Sequence, residues 1–378
     1  MASKTILFVT RNYPPLVGGM ERLVWRLTRH VPGPWSYVLV GPRGAGPYSP
    51  SALKVLEAPV SPVPLFLVWA LAESLFAARR YGVDYVIAGS GAVAPLARLA
   101  AKVSGCGYAV LVHGLDLVID SRMYRRFFLP SIAAADVVIA NSRNTRRLAV
   151  RCGVPEERTR VVLPGVEEPV HGDSDFRQIY GLGKRPVMLF LGRLIPRKGL
   201  VEFIERSLPA VLDRVPDAMF VIAGSEPGNA LFHRAGLLAE IRDTASRLGV
   251  EGHVLITGSL TEERVAAAYR AADVFVFPLV ETPGDVEGFG MVALEAAICG
   301  TPTVAFRVGG VADAVADGKS GYLHEPGDYA GFSDRVTALL TTVENPPVTA
   351  EECRAFARGF TWEKYAREVL QALAAVDR

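Results

Sequence analysis

The chain has 378 residues, 50% hydrophobic and 21% charged, which is enough for two domains that each bury a core. A formal net charge of +2 argues against a nucleic-acid-binding protein, because such proteins are usually strongly basic. The four cysteines, at 106, 152, 299 and 353, have neither metal-ligand spacing nor the density of a disulfide framework. We therefore expect reduced thiols, no metal site and a cytoplasmic location.

Two features bear on targeting. Residues 1–4 lead directly into an apolar run, so no signal peptide is expected. The most apolar window, Leu65 to Ala78, is too short to span a bilayer and contains Glu73. The sequence therefore predicts no transmembrane helix.

In the first half, short continuous apolar runs alternate with helical patterns, which is typical of a doubly wound parallel sheet. The first run, Thr5 to Thr10, is followed by Gly18-Gly19 and an amphipathic helix from Arg22 to His30. Further strands are predicted at 36–41, 84–88, 108–112, 136–140 and 160–163.

The second half repeats this pattern, with strands predicted at 187–191, 219–223, 253–256, 273–277 and 302–306. Between the halves, residues 164–183 are polar and interrupted by proline and glycine, as expected of a linker. A later break is predicted at Asn345-Pro346-Pro347. We expect two Rossmann-like domains with a cleft between them and ligands at the carboxyl ends of the strands.

The stretch from Val286 to Ala296 carries two carboxylates, Glu287 and Glu295, eight positions apart. The pattern predicts a strand before it and a helix from Met291 to Ile298, so that Glu287 lies in the connecting loop. Taken alone, the pair is compatible with a buried helix and one solvated glutamate. Glu295, however, lies among apolar residues, where a carboxylate needs a specific partner.

Several polar or glycine-rich segments also follow predicted strands. Backbone N–H groups of residues 289–291 start the helix and can bind anions or sugar hydroxyls. Arg193 and Lys198, after strand 187–191, could converge on a diphosphate. Gly18-Gly19, His113 and Gly309-Gly310 occupy equivalent positions, each with an ordinary turn or structural residue as the alternative.

Residues Gly89 to Ala94 fit the dinucleotide-binding pattern G-x-G-x-x-A after strand 84–88. The acid expected at the end of the next strand is missing, because that strand ends in His113. Helix–strand packing is therefore favoured over NAD binding.

Taken together, the sequence resembles the retaining glycosyltransferases of family 4, which have the GT-B fold. The motifs that carry the resemblance span nearly the whole chain in order: Tyr13-Pro14-Pro15 with Gly18-Gly19-Met20-Glu21, His113-Gly114-Leu115-Asp116, Ala135-Asp136 to Asn141-Ser142, Pro164-Gly165-Val166, Gly192-Arg193 with Lys198-Gly199, Ala272-Asp273, Glu287 to Glu295, Gly300-Thr301-Pro302, Gly309-Gly310, Asp317-Gly318 with Gly321, and Phe360-Thr361-Trp362. The resemblance implies an amino-terminal acceptor domain, residues 1–170 with a returning last helix at about 361–378, and a donor domain, residues 171–360.

The resemblance also implies roles for single residues. Arg193 and Lys198 would hold the donor diphosphate, Glu295 the ribose hydroxyls, and Glu287 the hydroxyls of the transferred sugar. Main-chain donors of Phe289, Gly290 and Met291 would lie beside that sugar, Gly18-Gly19 would approach the phosphates, and His113 would lie near the reacting centre. No obligatory metal or other cofactor is implied.

This chemistry agrees with the residues themselves. No pair of acids is positioned for the double displacement of retaining glycosidases, whereas Arg193 and Lys198 could stabilise a departing diphosphate. Residues 282–286 lengthen the approach to Glu287, which suggests a particular sugar pocket.

The first half also carries cationic and apolar residues that suit an anionic lipid surface. Arg122 to Leu129 mixes arginines with large apolar side chains, and Arg143, Arg146, Arg147 and Arg151 recur at helical spacing. With the apolar residues 65–69, they motivate a hypothesis of peripheral attachment at the inner face of the cytoplasmic membrane. The alternative is a solvated helix face and an ordinary core.

The sequence therefore predicts a retaining hexosyltransferase that uses a UDP- or GDP-sugar and a saccharide or lipid-linked acceptor in envelope polysaccharide or glycolipid synthesis. An NAD(P)-dependent oxidoreductase, based on Gly89 to Ala94, and a non-catalytic sugar-nucleotide-binding protein are the competing hypotheses.

Overall fold

The computed structural model describes residues 4–169, 175–226, 236–342 and 346–375. The chain divides into two compact units, a first unit of residues 1–165 with 360–378 and a second unit of residues 166–359. The predicted boundary between residues 170 and 171 and Asn345 of the predicted break lie outside the described residues.

The first unit contains a parallel sheet of seven strands in the order β3-β2-β1-β4-β5-β6-β7. The strands are β1 (Thr5–Val9), β2 (Ser36–Pro42), β3 (Lys54–Ala58), β4 (Tyr85–Ala88), β5 (Gly107–Val112), β6 (Val137–Ala140) and β7 (Thr159–Val161). Each predicted strand is confirmed to within two residues. The edge strand β3 was not predicted, because its residues alternate between buried and exposed instead of forming a continuous apolar run.

The helices of the first unit cover the two faces of this sheet. Within residues 4–165 they are α1 (Gly19–Arg29), α2 (Val63–Arg80), α3 (Ala94–Ser104), α4 (Leu115–Val118), α5 (Arg122–Phe127), α6 (Leu129–Ala133) and α7 (Arg143–Arg151). From β3 to β7 the chain advances across the sheet in one direction, so right-handed crossovers put α2 to α7 on one face. A large core of this unit packs between that face and α2, α3 and α6.

The second unit contains a parallel sheet of six strands in the order β10-β9-β8-β11-β12-β13. The strands are β8 (Val187–Leu191), β9 (Met219–Ala223), β10 (Val254–Gly258), β11 (Val274–Phe277), β12 (Thr303–Phe306) and β13 (Gly321–His324). Here too each predicted strand is confirmed to within two residues, and the short edge strand β13 was not predicted.

The remaining helices are α8 (Phe176–Ile179), α9 (Leu200–Arg206), α10 (Leu208–Leu212), α11 (Leu237–Arg247), α12 (Glu262–Ala271), α13 (Met291–Cys299), α14 (Val311–Ala314), α15 (Tyr329–Thr341), α16 (Ala350–Ala357) and α17 (Trp362–Ala374). Helix α17 belongs to the first unit and packs against α1. A Cβ on Gly165 would lie 2.5 Å from the backbone nitrogen of Trp362, so only glycine fits where α17 begins.

Two of the sequence expectations concern the chain as a whole. Within the described ranges, no helix is both long and apolar enough to cross a membrane. The four cysteines are unpaired thiols, as expected.

Candidate functional site

Each sheet has one point at which the strand order reverses, between β1 and β4 in the first unit and between β8 and β11 in the second. Loops that follow the two strands at such a point diverge and leave a crevice, which is where ligands bind in open parallel sheets. In the second unit these loops are residues 192–199 after β8 and residues 278–290 after β11. The predicted phosphate-binding and carboxylate loops are therefore neighbours in space.

A buried ion cluster joins these two loops. Arg197 Nε donates to Asp285 Oδ2 at 3.0 Å, and Arg197 Nη1 donates to Glu287 Oε2. Lys198 Nζ donates to the same Oε2 at 2.6 Å and lies 4.6 Å from the ring centre of Phe277. Among the residues that the structure describes, both side-chain bonds of Glu287 use Oε2, which leaves Oε1 to accept from a ligand.

Burial and charge both act on the pKa values of this cluster. Burial by itself would raise the pKa of Glu287, but Arg197 and Lys198 outweigh it and hold that pKa well below its ordinary value. For Lys198, burial outweighs the attraction of Glu287 and lowers the pKa of the ammonium. Glu287 is therefore a carboxylate at neutral pH.

The structure places the predicted phosphate-binding pair differently within its loop. Lys198 is only 6% exposed and is bonded to Glu287, whereas Arg193 is exposed at the start of the loop. Arg197, which was not predicted as a site residue, holds both Asp285 and Glu287. Its place beside Lys198 in a loop at a strand end was the only sequence signal for it.

Glu287 lies in the strand-to-helix loop and Glu295 on α13, as predicted. Glu295 is half-buried and has a specific partner, as expected: the hydroxyl of Tyr269 donates to its Oε2 at 3.3 Å. Helix α13 begins after Gly290, which has φ of 96° and supplies no side-chain cap. The first N–H groups of α13, next to the buried Phe289, therefore have no capping side chain as acceptor, and a ligand could supply one.

The glycines after β12 are explained by close packing on this same loop. Gly310 N–H donates to the carbonyl oxygen of Glu287 at 2.9 Å. A Cβ on Gly310 would lie 2.0 Å from the carbonyl oxygen of Gly288, and one on Gly309 would lie 2.4 Å from that of Glu287. The Gly309-Gly310 pair therefore packs directly against the carboxylate loop, residues 278–290, and supports its backbone at Glu287 and Gly288.

In the first unit, His113 follows β5 and is held on two sides. Its Nε2 lies 2.8 Å from the carbonyl oxygen of Gly89, and its backbone N–H donates to Asp116 Oδ2 at 2.9 Å. A ring nitrogen that faces a carbonyl must donate, so in the neutral ring Nδ1 is the acceptor. Nδ1 is buried and has no hydrogen-bond partner among the described residues.

Three further polar atoms near His113 share this property and were not predicted. Strand register puts Asn141 beside His113, because Val112 on β5 is opposite Ala140 on β6. Within the described part of the chain, Asn141 Oδ1, Ser90 Oγ and Tyr124 Oη are also buried without a partner. None of the three was predicted as a site residue, because neutral polar residues carry no charge pattern.

The glycines of the G-x-G-x-x-A segment serve packing, as favoured from the sequence. A Cβ on Gly89 would lie 2.5 Å from Thr10 Oγ1, and one on Gly91 would lie 2.6 Å from Tyr124 Oη. The N–H of Gly91 donates to Asp116 Oδ1 at 3.2 Å. This accounts for both glycines without a dinucleotide.

Helix α1 begins at Gly19, directly after Gly18, and so starts three residues before the predicted Arg22. A Cβ on Gly18 would lie 2.2 Å from Glu21 Oε2, and Glu21 Oε1 accepts from Asn12 Nδ2 at 2.8 Å. Glu21 therefore folds back over the turn, where it can interact with the N–H groups of the helix.

The described residues contain no group of three histidine, cysteine or acidic side chains arranged to hold a metal ion.

Two family models match the chain. The model described as "Glycosyltransferase Family 4" matches residues 17–168, and "Glycosyl transferases group 1" matches residues 185–342. The chain is 32% identical to the GDP-mannose-dependent alpha-(1-6)-phosphatidylinositol monomannoside mannosyltransferase of Mycolicibacterium smegmatis. This alignment spans 357 residues and covers 89% of each chain. It is 35% identical over 254 residues to the D-inositol 3-phosphate glycosyltransferase of Acidothermus cellulolyticus, covering 63% of this chain and 53% of the relative.

Solved structures with similar folds include Anabaena HepE in complex with UDP-glucose, with a TM-score of 0.76, 22% identity and coverage of 98% of this chain and 99% of that chain. Sucrose-phosphate synthase from Thermosynechococcus elongatus has a TM-score of 0.78, 20% identity and 99% coverage of both chains. At these identities the similarity concerns the fold.

Proposed function

Because the chain belongs to the family 4 glycosyltransferases and has the GT-B fold, we propose that it transfers a hexosyl unit from a UDP- or GDP-sugar, with retention, to a saccharide or lipid-linked saccharide acceptor. The products would enter envelope polysaccharide or glycolipid synthesis. The observation that carries the proposal is the ion cluster of Arg197, Lys198 and Glu287 at the strand-order reversal of the second unit.

The donor fits this cluster by charge and by hydrogen bonding. Lys198 donates one hydrogen bond to Glu287, and an ammonium has three donors, so it can also bind a diphosphate oxygen. The exposed Arg193 provides a second cation for the same group. Glu287 would accept from sugar hydroxyls through Oε1, and Glu295 would accept from the ribose.

The arrangement also supports same-face attack over double displacement. A glycosyl-enzyme intermediate needs a nucleophilic carboxylate, but the one oxygen of Glu287 that is engaged is shared by two cations, which reduce its basicity. Cationic side chains at the diphosphate stabilise the leaving group instead. In this mechanism the leaving diphosphate takes the acceptor proton.

In the first unit, the buried Nδ1 of His113 has no hydrogen-bond partner among the described residues. The ring is fixed by the bond from Nε2 to Gly89, so Nδ1 would accept from a sugar hydroxyl. Two relatives support an acceptor that carries inositol, since they are named as a phosphatidylinositol monomannoside mannosyltransferase and a D-inositol 3-phosphate glycosyltransferase. HepE was solved in complex with UDP-glucose, and the mannosyltransferase is named as GDP-mannose-dependent. We therefore propose a donor with either uracil or guanine as its base.

The first test is a thermal-shift screen of the protein with UDP, GDP, ADP and NAD. A ligand that binds only the folded state at 100 times its Kd stabilises that state by about 2.7 kcal/mol. We expect UDP or GDP to raise the melting temperature of the wild type and to have a much smaller effect on Arg193→Ala. Arg214→Ala, which removes an exposed ion pair with Asp334 in the same unit, should respond like the wild type.

Two results would contradict the proposed function. One is stabilisation by NAD with no response to a nucleoside diphosphate. The other is an intact response in Arg193→Ala, which would reject the assignment of the diphosphate site. Addition of EDTA to the same screen tests the expectation that no metal is needed.

We further propose peripheral contact with an anionic membrane through the helical face of the first unit. Helix α2 buries Phe66 but exposes Leu65, Val68, Trp69 and Phe76, which lie along one side at helical spacing. The neighbouring helix α3 exposes Leu99 and Val103, and α5 exposes Met123 and Phe127.

Cations accompany this apolar surface. Helices α2, α3 and α5 carry the basic residues Arg79, Arg80, Arg98, Lys102, Arg122, Arg125 and Arg126, and α2 carries Glu73 as its one acid. Arg125 and Arg146 are partly neutralised by Asp120 and Glu156. The remaining positive charge is suited to acidic lipid headgroups.

Flotation with lipid vesicles tests this contact. The wild type is expected to float with phosphatidylglycerol vesicles at low salt and less at high salt, and not with phosphatidylcholine vesicles. Trp69→Ser should weaken flotation, whereas Leu248→Ser, at an exposed leucine of the second unit, should not. A wild type that stays in the bottom fraction with acidic vesicles at low salt contradicts the proposal.

A further inference from the structure

We propose that Arg197 and Asp285 are positioning residues that hold Glu287 and keep Lys198 available to the donor diphosphate. This inference rests on the proposed function, because it assigns Glu287 and Lys198 to the donor. Neither Arg197 nor Asp285 needs to touch the donor in this role.

Arg197 is attached to the carboxylate loop at three points. Its backbone carbonyl accepts from the N–H of Val280 at 3.0 Å, and its side chain donates to both Asp285 and Glu287. Only 7% of Arg197 is exposed, so the guanidinium is held among these partners instead of in water. A guanidinium suits this position because its planar fork can bond two carboxylates at once.

Asp285 anchors the other end of this arrangement. Its Oδ1 accepts from the N–H of Val286 at 2.8 Å, and its backbone N–H donates to the carbonyl of Thr282 at 3.1 Å. These bonds close a tight turn with Gly284 at φ of 76°. The turn that lengthens the approach to Glu287 therefore ends in the residue that orients Arg197.

The charges explain why a second cation is needed. Arg197 and Lys198 balance Asp285 and Glu287, so the cluster is close to neutral. Without Arg197, two carboxylates would share Lys198, and the cluster would repel the diphosphate that Lys198 is proposed to bind. Arg197 therefore supplies the counter-charge that lets Glu287 lie beside an anionic ligand.

The charged groups that face Glu287 come from two loops, the loop after β8 and its own loop after β11. Arg197 and Lys198 face it from the loop after β8, Asp285 lies in its own loop, and Arg193 acts on Lys198. The loop after β12 packs on Glu287 with Gly309 and Gly310, and the charged residue of that loop, Arg307, pairs with Glu325. The next charged side chain in that segment is Asp313 in α14.

The test compares Arg197→Gln, Arg197→Lys, Asp285→Asn and the double variant Arg197→Gln with Asp285→Asn. Calorimetry measures the binding of inorganic pyrophosphate, UDP and GDP between pH 5 and 8, and kcat and KM are measured for a UDP- or GDP-sugar. Urea unfolding of each variant reports whether it is folded, and Arg197→Lys is the variant that keeps the charge if Arg197→Gln is too unstable.

The charge of the cluster should govern the affinity for pyrophosphate, whereas the positioning of Glu287 should govern kcat. Arg197→Gln should weaken pyrophosphate binding by about tenfold or more, because the two carboxylates then share only Lys198 and repel the anion. Arg197→Lys should recover most of this affinity. Asp285→Asn, which removes a negative charge, should bind pyrophosphate as well as or better than the wild type, yet have a lower kcat. The double variant should regain affinity for pyrophosphate but not kcat, a non-additivity that a double-mutant cycle measures.

Folded Arg197→Gln with wild-type pyrophosphate affinity would overturn the role of Arg197, and Asp285→Asn with wild-type kcat would overturn that of Asp285. Pyrophosphate binding decides the first point even if no sugar nucleotide is turned over. Absence of turnover by the wild type with every UDP- and GDP-sugar would instead contradict the proposed function.

Discussion

Replacing Glu287 with alanine is expected to lower the free energy of unfolding by about 3–5 kcal/mol, because it leaves Arg197 and Lys198 as buried cations with one carboxylate, Asp285. Transferase activity should fall by about 100-fold or more, since the same residue is proposed to hold the transferred sugar. Urea unfolding and initial rates of nucleoside diphosphate release measure the two effects separately.

Glu205→Ala is the matched control for this substitution. Glu205 pairs with Arg247 in the same unit, but the two side chains are 40% and 60% exposed, so the cost should be about 0–1 kcal/mol. Glu287→Gln keeps the shape of the side chain and separates charge from volume. Equal stability of Glu287→Ala and Glu205→Ala would show that the buried cluster contributes no more than a surface pair.

The contribution of Glu287 should also depend on pH. Its pKa in the folded protein is lower than in the unfolded chain, so its stabilising effect is fully present above the ordinary glutamate pKa. It is lost as the pH falls from that value towards the lowered one. The difference in unfolding free energy between wild type and Glu287→Gln should therefore shrink below about pH 4.5.

Gly310→Ala is expected to have the second large effect. Gly310 has φ of −87°, which alanine adopts without strain, so the effect comes from the new methyl group alone. That methyl would lie 2.0 Å from the carbonyl oxygen of Gly288 and 2.9 Å from the Cα of Phe289. The loop must move, at a cost of about 1–3 kcal/mol or more.

The same movement should reduce activity, because Gly288 and Phe289 connect Glu287 to the start of α13. Small displacements of binding groups can cost about 100-fold in rate. Gly252→Ala is the control, since a Cβ there meets nothing within 4 Å. We expect Gly252→Ala to retain wild-type stability and UDP or GDP response, and an equally active Gly310→Ala would reject this account of the Gly309-Gly310 pair.

The sequence alone was sufficient for most of the fold. Buried central strands such as β1, β8 and β11 are continuous apolar runs, a local property that can be read along the chain. Edge strands β3 and β13 were missed because their partial exposure gives no such run. The positions of His113, Lys198 and Glu287 after strands were also local information, since parallel strands direct their following loops to one edge.

The pairing of side chains was decided by the tertiary structure. Arg197 and Glu287 are 90 positions apart, and they meet only because β8 and β11 are neighbours at the reversal of strand order. The sequence therefore identified the loops and the types of charge that they carry. Which cation binds Glu287, which of its oxygens is engaged, and why Gly310 must lack a side chain depend on distances between segments, and those distances are fixed by strand order and packing.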